Sequence, residues 1–374
     1  MEEARRRILI VPDKFKGTLT ARAAAQAIAR GWRRRRPQDD LELLPMSDGG
    51  DGFNLVITEL LGAEIRSVEA MDAAHRPRMA TWGWDSATRT AVIESANTIG
   101  LALVPTGSFH PFDLDTYGLG EVVGAALQTG ARRLIMGLGG SATNDAGFGL
   151  ARALGARFEA DHGQEITRWP DLVRLQSWQL DRARFQGCEI IGACDVTNPL
   201  LGLGGCSWVY GPQKGLTAAD LPAADAALAQ LAEITRQQLG ESLDLEPGSG
   251  AAGGLGFAIR AFFGGRLESG FEIFATLSGL AEKIAAVDLV ITGEGGLDRQ
   301  TLMGKGTGRI AAMAQAAGKP CLGLAGVVEI VPDLAPERQL FTRTHAIVPS
   351  LAPAAEAKAR AAYWLEELAY RHAD

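Results

Sequence analysis

The 374-residue sequence lacks the features of several common protein classes. Its four cysteines form no Cys-x-x-Cys pair and have no histidine at zinc-ligand spacing, which is typical of reduced thiols in a cytoplasmic protein. No stretch approaches the roughly 20 apolar residues of a membrane span, and the first apolar run is too short for a signal peptide. We therefore expect a cytoplasmic protein that does not contact a membrane. The cysteines are Cys188, Cys194, Cys206 and Cys321.

An excess of positive charge is also missing. Lysine and arginine total 37 against 44 aspartates and glutamates, for a net charge of −7. Binding to a phosphate backbone requires a clearly basic surface. Of the two arginine clusters, at 5–7 and 33–36, the second closes a predicted helix, where cations complement the helix dipole. We expect no nucleic-acid partner.

The motifs of several enzyme classes are absent as well. The five histidines are scattered, and none lies near a serine, a cysteine or a metal-spaced partner. There is no nucleophile elbow. Gly304-Lys305 is not part of a Walker A motif, because Gly306 follows and Arg299 occupies the place of the first glycine. A general base that activates a hydroxyl would then be an aspartate or a glutamate.

Glycine, in contrast, is abundant. Its 46 residues are about 12% of the chain, against a usual share of roughly 7%. No repeat or low-complexity segment accounts for this excess. Glycine permits tight turns and close approaches of the backbone to a ligand, so the composition indicates many functional or strained loops.

Alternating buried strands and amphipathic helices predict an α/β protein. Five strands fit one doubly wound parallel sheet of the flavodoxin-like or Rossmann-like kind, namely 8–11, 41–46, 289–292, 321–325 and 345–348. Between them, three strands near 65–70, 78–84 and 90–94 show an antiparallel pattern and precede further α/β units. We therefore expect two α/β domains, with 63–286 inserted into a discontinuous domain of 1–62 plus 287–374. The active site is expected in the inter-domain cleft.

Six loops at predicted strand ends combine small residues with an ionisable side chain. Ligands of α/β sheets bind beyond the carboxyl ends of the strands. Glycine N–H groups can cradle phosphate, lysines can neutralise it, and carboxylates can bind Mg²⁺. Each loop alone is a common turn composition, but together they indicate an anionic-ligand site suited to phosphoryl transfer. The loops are Asp13–Gly17, Ser47–Gly52, Gly137–Asp145, Asp195–Pro199, Gly211–Gly215 and Gly293–Lys305.

Two other functions fit parts of the pattern. Gly137, Gly139 and Ala142 follow a predicted strand with the spacing of a dinucleotide fingerprint, so an NAD-dependent dehydrogenase is one alternative. Against it, Asn144 and Asp145 fall in the predicted first helical turn, where a carboxylate would repel a pyrophosphate. A non-catalytic sensor of nucleotides or sugar acids is the other alternative.

At these loops the sequence resembles the class I, bacterial-type glycerate kinases. The resemblance implies ATP- and Mg²⁺-dependent phosphorylation of D-glycerate, typically to 2-phosphoglycerate, on two α/β domains with one inserted in the other. Glycerate and ATP are the implied partners; the oligomeric state stays open, with a homodimer as one candidate. The matching segments are 10–21, 45–52, 117–121, 137–147, 193–200, 211–215, 250–256, 291–301 and 304–305.

Four positions depart from the family pattern. Lys14 stands where the family usually has serine, Asp51 where it has glutamate, and Thr307 near the place of a proline. Gly296 stands where an arginine is usual, which removes a bidentate donor for phosphate or carboxylate. Lys14 or Arg299 would then have to compensate.

The resemblance and the loop chemistry together suggest specific roles. Asp298 is the first choice for the base that deprotonates the substrate hydroxyl and Asp195 the second, while Lys16 and Lys305 balance the charge on the phosphate or the substrate carboxylate. The predicted nucleotide-binding residues are Gly137, Gly139, Gly140, Ser141, Thr143, Asn144 and Lys214. The predicted substrate-binding residues are Lys14, Glu294, Arg299 and Gln300. The predicted Mg²⁺ ligands are Asp48, Asp51 and Asp195.

Overall fold

A computed structural model describes residues 5–302, 306–329 and 340–373, without the side chains of Gln300 and Leu302. None of the described helices is both long and apolar enough to cross a membrane. The strands are β1 (Arg7–Pro12), β2 (Asp40–Leu43), β3 (Glu64–Met71), β4 (Pro77–Asp85), β5 (Thr90–Glu94), β6 (Arg133–Gly137), β7 (Arg157–Glu159), β8 (Ser177–Gln179), β9 (Glu189–Ala193), β10 (Arg266–Glu268), β11 (Leu289–Leu297), β12 (Cys321–Val328) and β13 (Arg343–Val348).

The α-helices of the described residues vary from one turn to five. They are α1 (Ala21–Arg35), α2 (Phe53–Leu60), α3 (Ser95–Ile99), α4 (Tyr117–Gln128), α5 (Phe148–Ala153), α6 (Cys206–Lys214), α7 (Leu221–Leu239), α8 (Ala251–Ala261), α9 (Gly270–Ser278), α10 (Leu280–Ala286), α11 (Arg299–Leu302), α12 (Gly306–Ala316), α13 (Ala354–Ala359) and α14 (Ala361–Arg371).

The chain divides into two compact units, one formed by the residues up to Asp48 and from Phe271 on, the other by Gly49–Gly270. These junctions differ from the predicted boundaries at 62 and 287. Helix α2 belongs to the second unit because it packs on β4 and β5. Helix α10 belongs to the first because it packs on β1 and α12. Local periodicity identifies such helices but does not show which sheet they cover.

The first unit is built on a five-stranded parallel sheet with the strand order β2-β1-β11-β12-β13. This confirms the predicted parallel sheet, and the order is that of flavodoxin-like folds. The order reverses between β1 and β11, which pair in parallel from Ile8 with Leu289 to Pro12 with Gly293. Ligands of such sheets bind at the carboxyl ends of the strands beside this switch point. The loop that follows Pro12 and the part of β11 that continues beyond Gly293 are therefore candidate positions for a site.

Helices α1 and α14 pack closely against each other in the first unit. Helix α1 begins at the N-cap Thr20, whose side chain accepts a hydrogen bond from the N–H of Ala23 at 3.1 Å. Its buried face includes Ile28 and Trp32, as the four-residue spacing predicts. At Gly31 the two helices touch so closely that a Cβ would lie 2.0 Å from the Glu366 carbonyl oxygen.

The second unit contains a six-stranded sheet with the order β10-β9-β6-β5-β4-β3. Strands β3, β4 and β5 are antiparallel, as predicted, whereas β5, β6, β9 and β10 pair in parallel. The carboxyl ends of β5, β6 and β9 therefore share one edge. Residues 208–210 are part of helix α6, where Trp208 and Tyr210 pack against the core of this unit.

We expect Gly31→Ala to lower the free energy of unfolding by about 1–3 kcal/mol, because its Cβ would overlap the Glu366 carbonyl. This loss should exceed the roughly 1 kcal/mol that alanine adds to helix propensity. Gly124→Ala in α4 is the matched control, since its Cβ would meet only Leu154, at 3.7 Å. Thermal unfolding followed by circular dichroism measures both variants. An unchanged Tm for Gly31→Ala would contradict the packing described.

Candidate active site

Three glycine-bearing segments of the second unit pack backbone against backbone at the carboxyl ends of β6 and β9. A Cβ on Gly139 would lie 2.8 Å from Gly50 Cα, and one on Gly49 would lie 2.6 Å from the Ala193 carbonyl oxygen. A Cβ on Gly137 would lie 2.7 Å from a ring carbon of Phe53. Side chains are thus sterically excluded here, and the glycines let the three segments approach each other.

The loop after β6 is held by its carbonyl groups. The Ser95 hydroxyl donates to the Gly139 carbonyl at 2.8 Å, and the Leu101 N–H donates to the Gly140 carbonyl at 2.8 Å. Gly140 has a φ of +67°, a conformation that favours glycine. Within the described part of the chain, the N–H groups of Gly140 and Ser141 donate to no protein acceptor. Two neighbouring backbone donors in a left-handed turn suit a bound anion such as a phosphate.

Lys214, at the end of α6, supports this loop from inside the protein. Its ammonium group is buried and donates to Ser141 Oγ at 3.2 Å and to the Thr143 carbonyl at 2.6 Å. Burial lowers the pKa of the lysine to about 8. Lys214 therefore contacts the predicted nucleotide loop. Both of its hydrogen bonds go to atoms of the loop, so the ammonium group supports the loop from within the protein.

The next residues of the loop are buried and form its framework. The Asn144 side-chain amide donates to Ser207 Oγ at 2.9 Å. Asp145 accepts hydrogen bonds from the Thr116 N–H and hydroxyl and from the Gly149 N–H, while burial raises its pKa to about 6. Thr143 and Asn144 have no exposed surface. Their nucleotide-binding roles stay predictions, and the contacts found are with the protein.

The same loop argues against a dinucleotide site. In a dinucleotide fingerprint the glycines lead directly into a helix, whose N-terminus holds the pyrophosphate. Here α5 begins only at Phe148, so Gly137, Gly139 and Ala142 are separated from it by a further stretch of loop. The glycine spacing is met, but the strand–turn–helix geometry is not.

The predicted Mg²⁺ ligands do not form a metal centre. The described residues contain no group of three or more His, Cys, Asp or Glu side chains that could hold a metal ion. Asp51 lies beside the nucleotide loop, since a Cβ on Gly140 would be 2.2 Å from its Oδ1. Asp195 is exposed after β9. The described residues therefore bring together no set of three or more protein ligands, and the Mg²⁺ roles of Asp48, Asp51 and Asp195 stay predictions.

In the first unit, Asp13 lies directly at the switch point. Its N–H donates to the Gly293 carbonyl at 2.8 Å, and its Oδ1 accepts from the Lys14 N–H at 2.7 Å. Burial, together with the neighbouring carboxylates of Asp48 and Glu294, raises the pKa of Asp13 to about 7. Asp13 is not among the predicted site residues. Its place as the first ionisable residue after β1 is the signal that could have found it.

The loop that follows Asp13 packs on strand β11. A Cβ on Gly295 would lie 3.4 Å from the Lys16 nitrogen and 3.6 Å from Phe15 Cα. Phe15 is buried and anchors the loop, whereas Lys16 is exposed. Lys16 thus lies beside the Glu294–Gly296 segment, so that both segments can contribute to one site.

Asp298 has a structural function that the sequence analysis did not predict. Its Oδ1 accepts a hydrogen bond from the Thr301 N–H at 3.2 Å, which makes it the N-cap of α11. The Thr301 hydroxyl accepts from the Asp298 N–H at 3.2 Å and donates to Glu294 Oε1 at 3.0 Å. Asp298 and Glu294 are therefore joined through one buried threonine, and Arg299 is exposed beside them. Lys305 and the side chain of Gln300 lie outside the described residues.

Comparison with known proteins identifies the family. A model described as the glycerate kinase family matches residues 8–374. The chain is 36% identical over 367 residues to a Bacillus subtilis glycerate kinase, covering 97% of this chain and 96% of that protein. It is 40% identical over 325 residues to an Escherichia coli glycerate 2-kinase, covering 86% and 85%.

The chain belongs to the glycerate kinase family.

A solved structure agrees with this assignment. A crystal structure assigned to glycerate kinase 2 of Salmonella typhimurium LT2 superposes with a TM-score of 0.82 at 36% identity. The match covers 99% of this chain and 98% of that one. The sheets and loops described above are therefore those of the glycerate kinase fold.

Gly296 stands in this glycerate kinase family member at a position where an arginine is expected. A Cβ on Gly296 would meet no atom within 4 Å. Packing of the described residues therefore does not require glycine at this point of β11.

We expect Lys214→Met to raise the KM for ATP by about 10- to 100-fold, because the loop would lose two hydrogen bonds from a charged donor. Some stability should be lost as well, since the buried Thr143 carbonyl would lose its partner. Lys358→Met, at an exposed position of α13, is the matched control. Steady-state kinetics with varied ATP measures the effect. A folded Lys214→Met protein with an unchanged KM for ATP would show that the ammonium does not support this loop.

Proposed function

We propose that this protein is an ATP-dependent kinase that phosphorylates a hydroxyl of D-glycerate, with 2-phosphoglycerate as the product. The observation that carries the proposal is the match over nearly the whole chain to glycerate kinases, including a relative named glycerate 2-kinase. The two groups of loops supply the chemistry that such a kinase needs, namely backbone donors for phosphate, lysines and carboxylates.

In this proposal the loop of Gly137, Gly139, Gly140 and Ser141 holds nucleotide phosphates. The support is the pair of N–H groups at Gly140 and Ser141, which donate to no acceptor among the described residues. The buried Lys214 keeps the loop in this conformation. Its proposed contribution is to shape the loop rather than to contact the nucleotide directly.

The switch-point loops of the first unit are proposed to handle the substrate. Lys16 neutralises charge on the transferring phosphate or on the glycerate carboxylate, which its exposed ammonium group permits. Lys14, Glu294 and Arg299 surround the same strand ends and are proposed to bind glycerate. The predicted roles of Gln300 and Lys305 continue as part of the proposal.

Magnesium enters the proposal only as the usual companion of ATP. Because the described carboxylates do not form a metal centre, we assign no protein-built site to the ion. A homodimer and a cytoplasmic location also belong to the proposal. Light scattering on the purified protein would measure the mass of the particle.

The experiment is an assay of the purified protein with ATP, Mg²⁺ and a panel of hydroxy acids. We expect ADP release with D-glycerate, and phosphorus NMR should identify 2-phosphoglycerate rather than its 3-phospho isomer. Binding of ATP without turnover of any hydroxy acid would indicate a sensor instead. Binding of NAD in place of ATP would indicate a dehydrogenase.

We expect Gly296→Arg to fold normally and to lower the KM for glycerate by about tenfold, because a Cβ here meets no atom within 4 Å and the guanidinium can offer a bidentate donor to the carboxylate. Gly296→Met, of similar length but uncharged, is the matched control. Kinetics with varied glycerate measures both variants. An unchanged KM for Gly296→Arg would mean that another cation, such as Lys14 or Arg299, already binds the carboxylate.

A further inference from the structure

We propose that Asp13 is the catalytic base that accepts the proton of the substrate hydroxyl, an inference that rests on the proposed kinase function. The structure makes this residue a stronger candidate than Asp298, which the sequence favoured.

Asp13 lies at the edge of the sheet where ligands of this fold class bind. Asp13 follows the last residue of β1, and its N–H bonds the Gly293 carbonyl of β11. Strands β1 and β11 flank the point where the strand order reverses, and ligands of this fold class bind at the carboxyl ends there. Asp13 is the first ionisable side chain that β1 delivers to this edge.

The two carboxyl oxygens of Asp13 differ in their hydrogen bonds. Oδ1 accepts the Lys14 N–H at 2.7 Å, which orients the carboxyl group. In the described part of the chain, Oδ2 is the oxygen of Asp13 without a hydrogen bond to the protein. A general base needs one oxygen held and the other directed to the proton it takes.

Two buried hydroxyls supply an independent sign that a polar ligand belongs nearby. Ser47, in the loop after β2, and Thr307, in the first turn of α12, are both buried, and neither hydroxyl has a partner among the described residues. The two segments touch, since a Cβ on Gly306 would lie 2.7 Å from the Met46 side chain. Buried hydroxyls normally have a hydrogen-bond partner. Two such hydroxyls without a partner among the described residues are therefore typical of a site that a ligand completes.

The electrostatic environment supports the assignment. The charged groups that act on Asp13 are the carboxylates of Asp48 and Glu294, which raise its pKa, and Lys14, which lowers it. Together with burial they bring the pKa to about 7. A base whose pKa is close to the working pH is present in its ionised form and still binds the proton well.

Asp298 has a helix-capping role that can be tested separately from catalysis. One of its oxygens caps α11 by accepting the Thr301 N–H, and its own N–H is bound by the Thr301 hydroxyl. Asparagine caps helices about as well as aspartate. Replacement of Asp298 by asparagine therefore separates a capping role from a catalytic one.

The proposed step transfers the γ-phosphoryl group of ATP to the substrate hydroxyl. The substrate hydroxyl oxygen forms a bond to the γ-phosphorus of ATP, and the bond from that phosphorus to the β–γ bridging oxygen breaks. ADP leaves with the electron pair of the broken bond. The hydroxyl proton moves to Asp13 Oδ2, and solvent removes it after the product has left.

The test compares Asp13→Asn, Asp13→Glu and Asp298→Asn in the full chain. We expect Asp13→Asn to lower kcat by about 100-fold or more, the contribution typical of a general base, with little change in the KM for ATP. Asp13→Glu should recover part of the loss. Asp40→Asn, an exposed carboxylate of β2 paired with Arg5, is the control and should keep wild-type activity.

Two further readouts distinguish a catalytic role from a structural one. The wild-type kcat/KM should rise with pH through about 7, because Asp13 must be ionised to accept a proton, and the residual activity of Asp13→Asn should lack this rise. The Tm of Asp13→Asn should equal or exceed that of the wild type, since the change relieves repulsion from Asp48 and Glu294.

The outcomes are separable. Activity of Asp13→Asn within about threefold of the wild type overturns the inference while leaving glycerate kinase activity intact. A larger loss in Asp298→Asn than in Asp13→Asn also overturns it and returns the base to Asp298. Failure of the wild type to phosphorylate any hydroxy acid overturns both this inference and the proposed function.

Discussion

The pairing of β1 with β11 is the constraint on which the first unit depends. It joins residues 281 positions apart in the chain, as in the hydrogen bond from the Thr292 hydroxyl to the Val11 carbonyl. This pairing creates the switch point, and it brings Asp13, Lys16 and Glu294 to one edge of the sheet. Five apolar residues of β1 lie buried within the sheet, so hydrophobic burial on both faces drives the pairing. The polar groups at its end are positioned as a consequence.

The second unit uses a different principle, in which backbone atoms and one internal cation shape a loop. The glycines at 49, 137 and 139 permit contacts that any side chain would block. The buried ammonium of Lys214 then satisfies oxygens that the loop turns inward. The cost of burying this charge is reflected in its lowered pKa, and hydrogen bonds offset that cost. A preorganised set of N–H donors is the result, which suits phosphate binding.

Some predicted residues acquire a different meaning once their contacts are known. Asp298 is polar, follows a buried strand and precedes a helix, and these properties fit a base and an N-cap equally well. Only the distance from its Oδ1 to the Thr301 N–H reveals the cap. The carboxylates that raise the pKa of Asp13, those of Asp48 and Glu294, are distant from it in sequence. Proximity between remote carboxylates is a property of the fold.

The sequence by itself determined the α/β class, the five parallel strands of the first unit, the antiparallel start of the second, and the glycine-bearing loops that are proposed to carry the chemistry. These follow from local periodicity and from residue types, because burial on a helix or strand imposes a repeating apolar pattern. The tertiary structure alone decided the unit junctions at Asp48 and Phe271. It also decided the hydrogen bonds from Lys214 to the loop after β6 and the carboxylates that lie near Asp13. Each of these depends on contacts between segments far apart in the chain, and a local pattern carries no record of its distant partners.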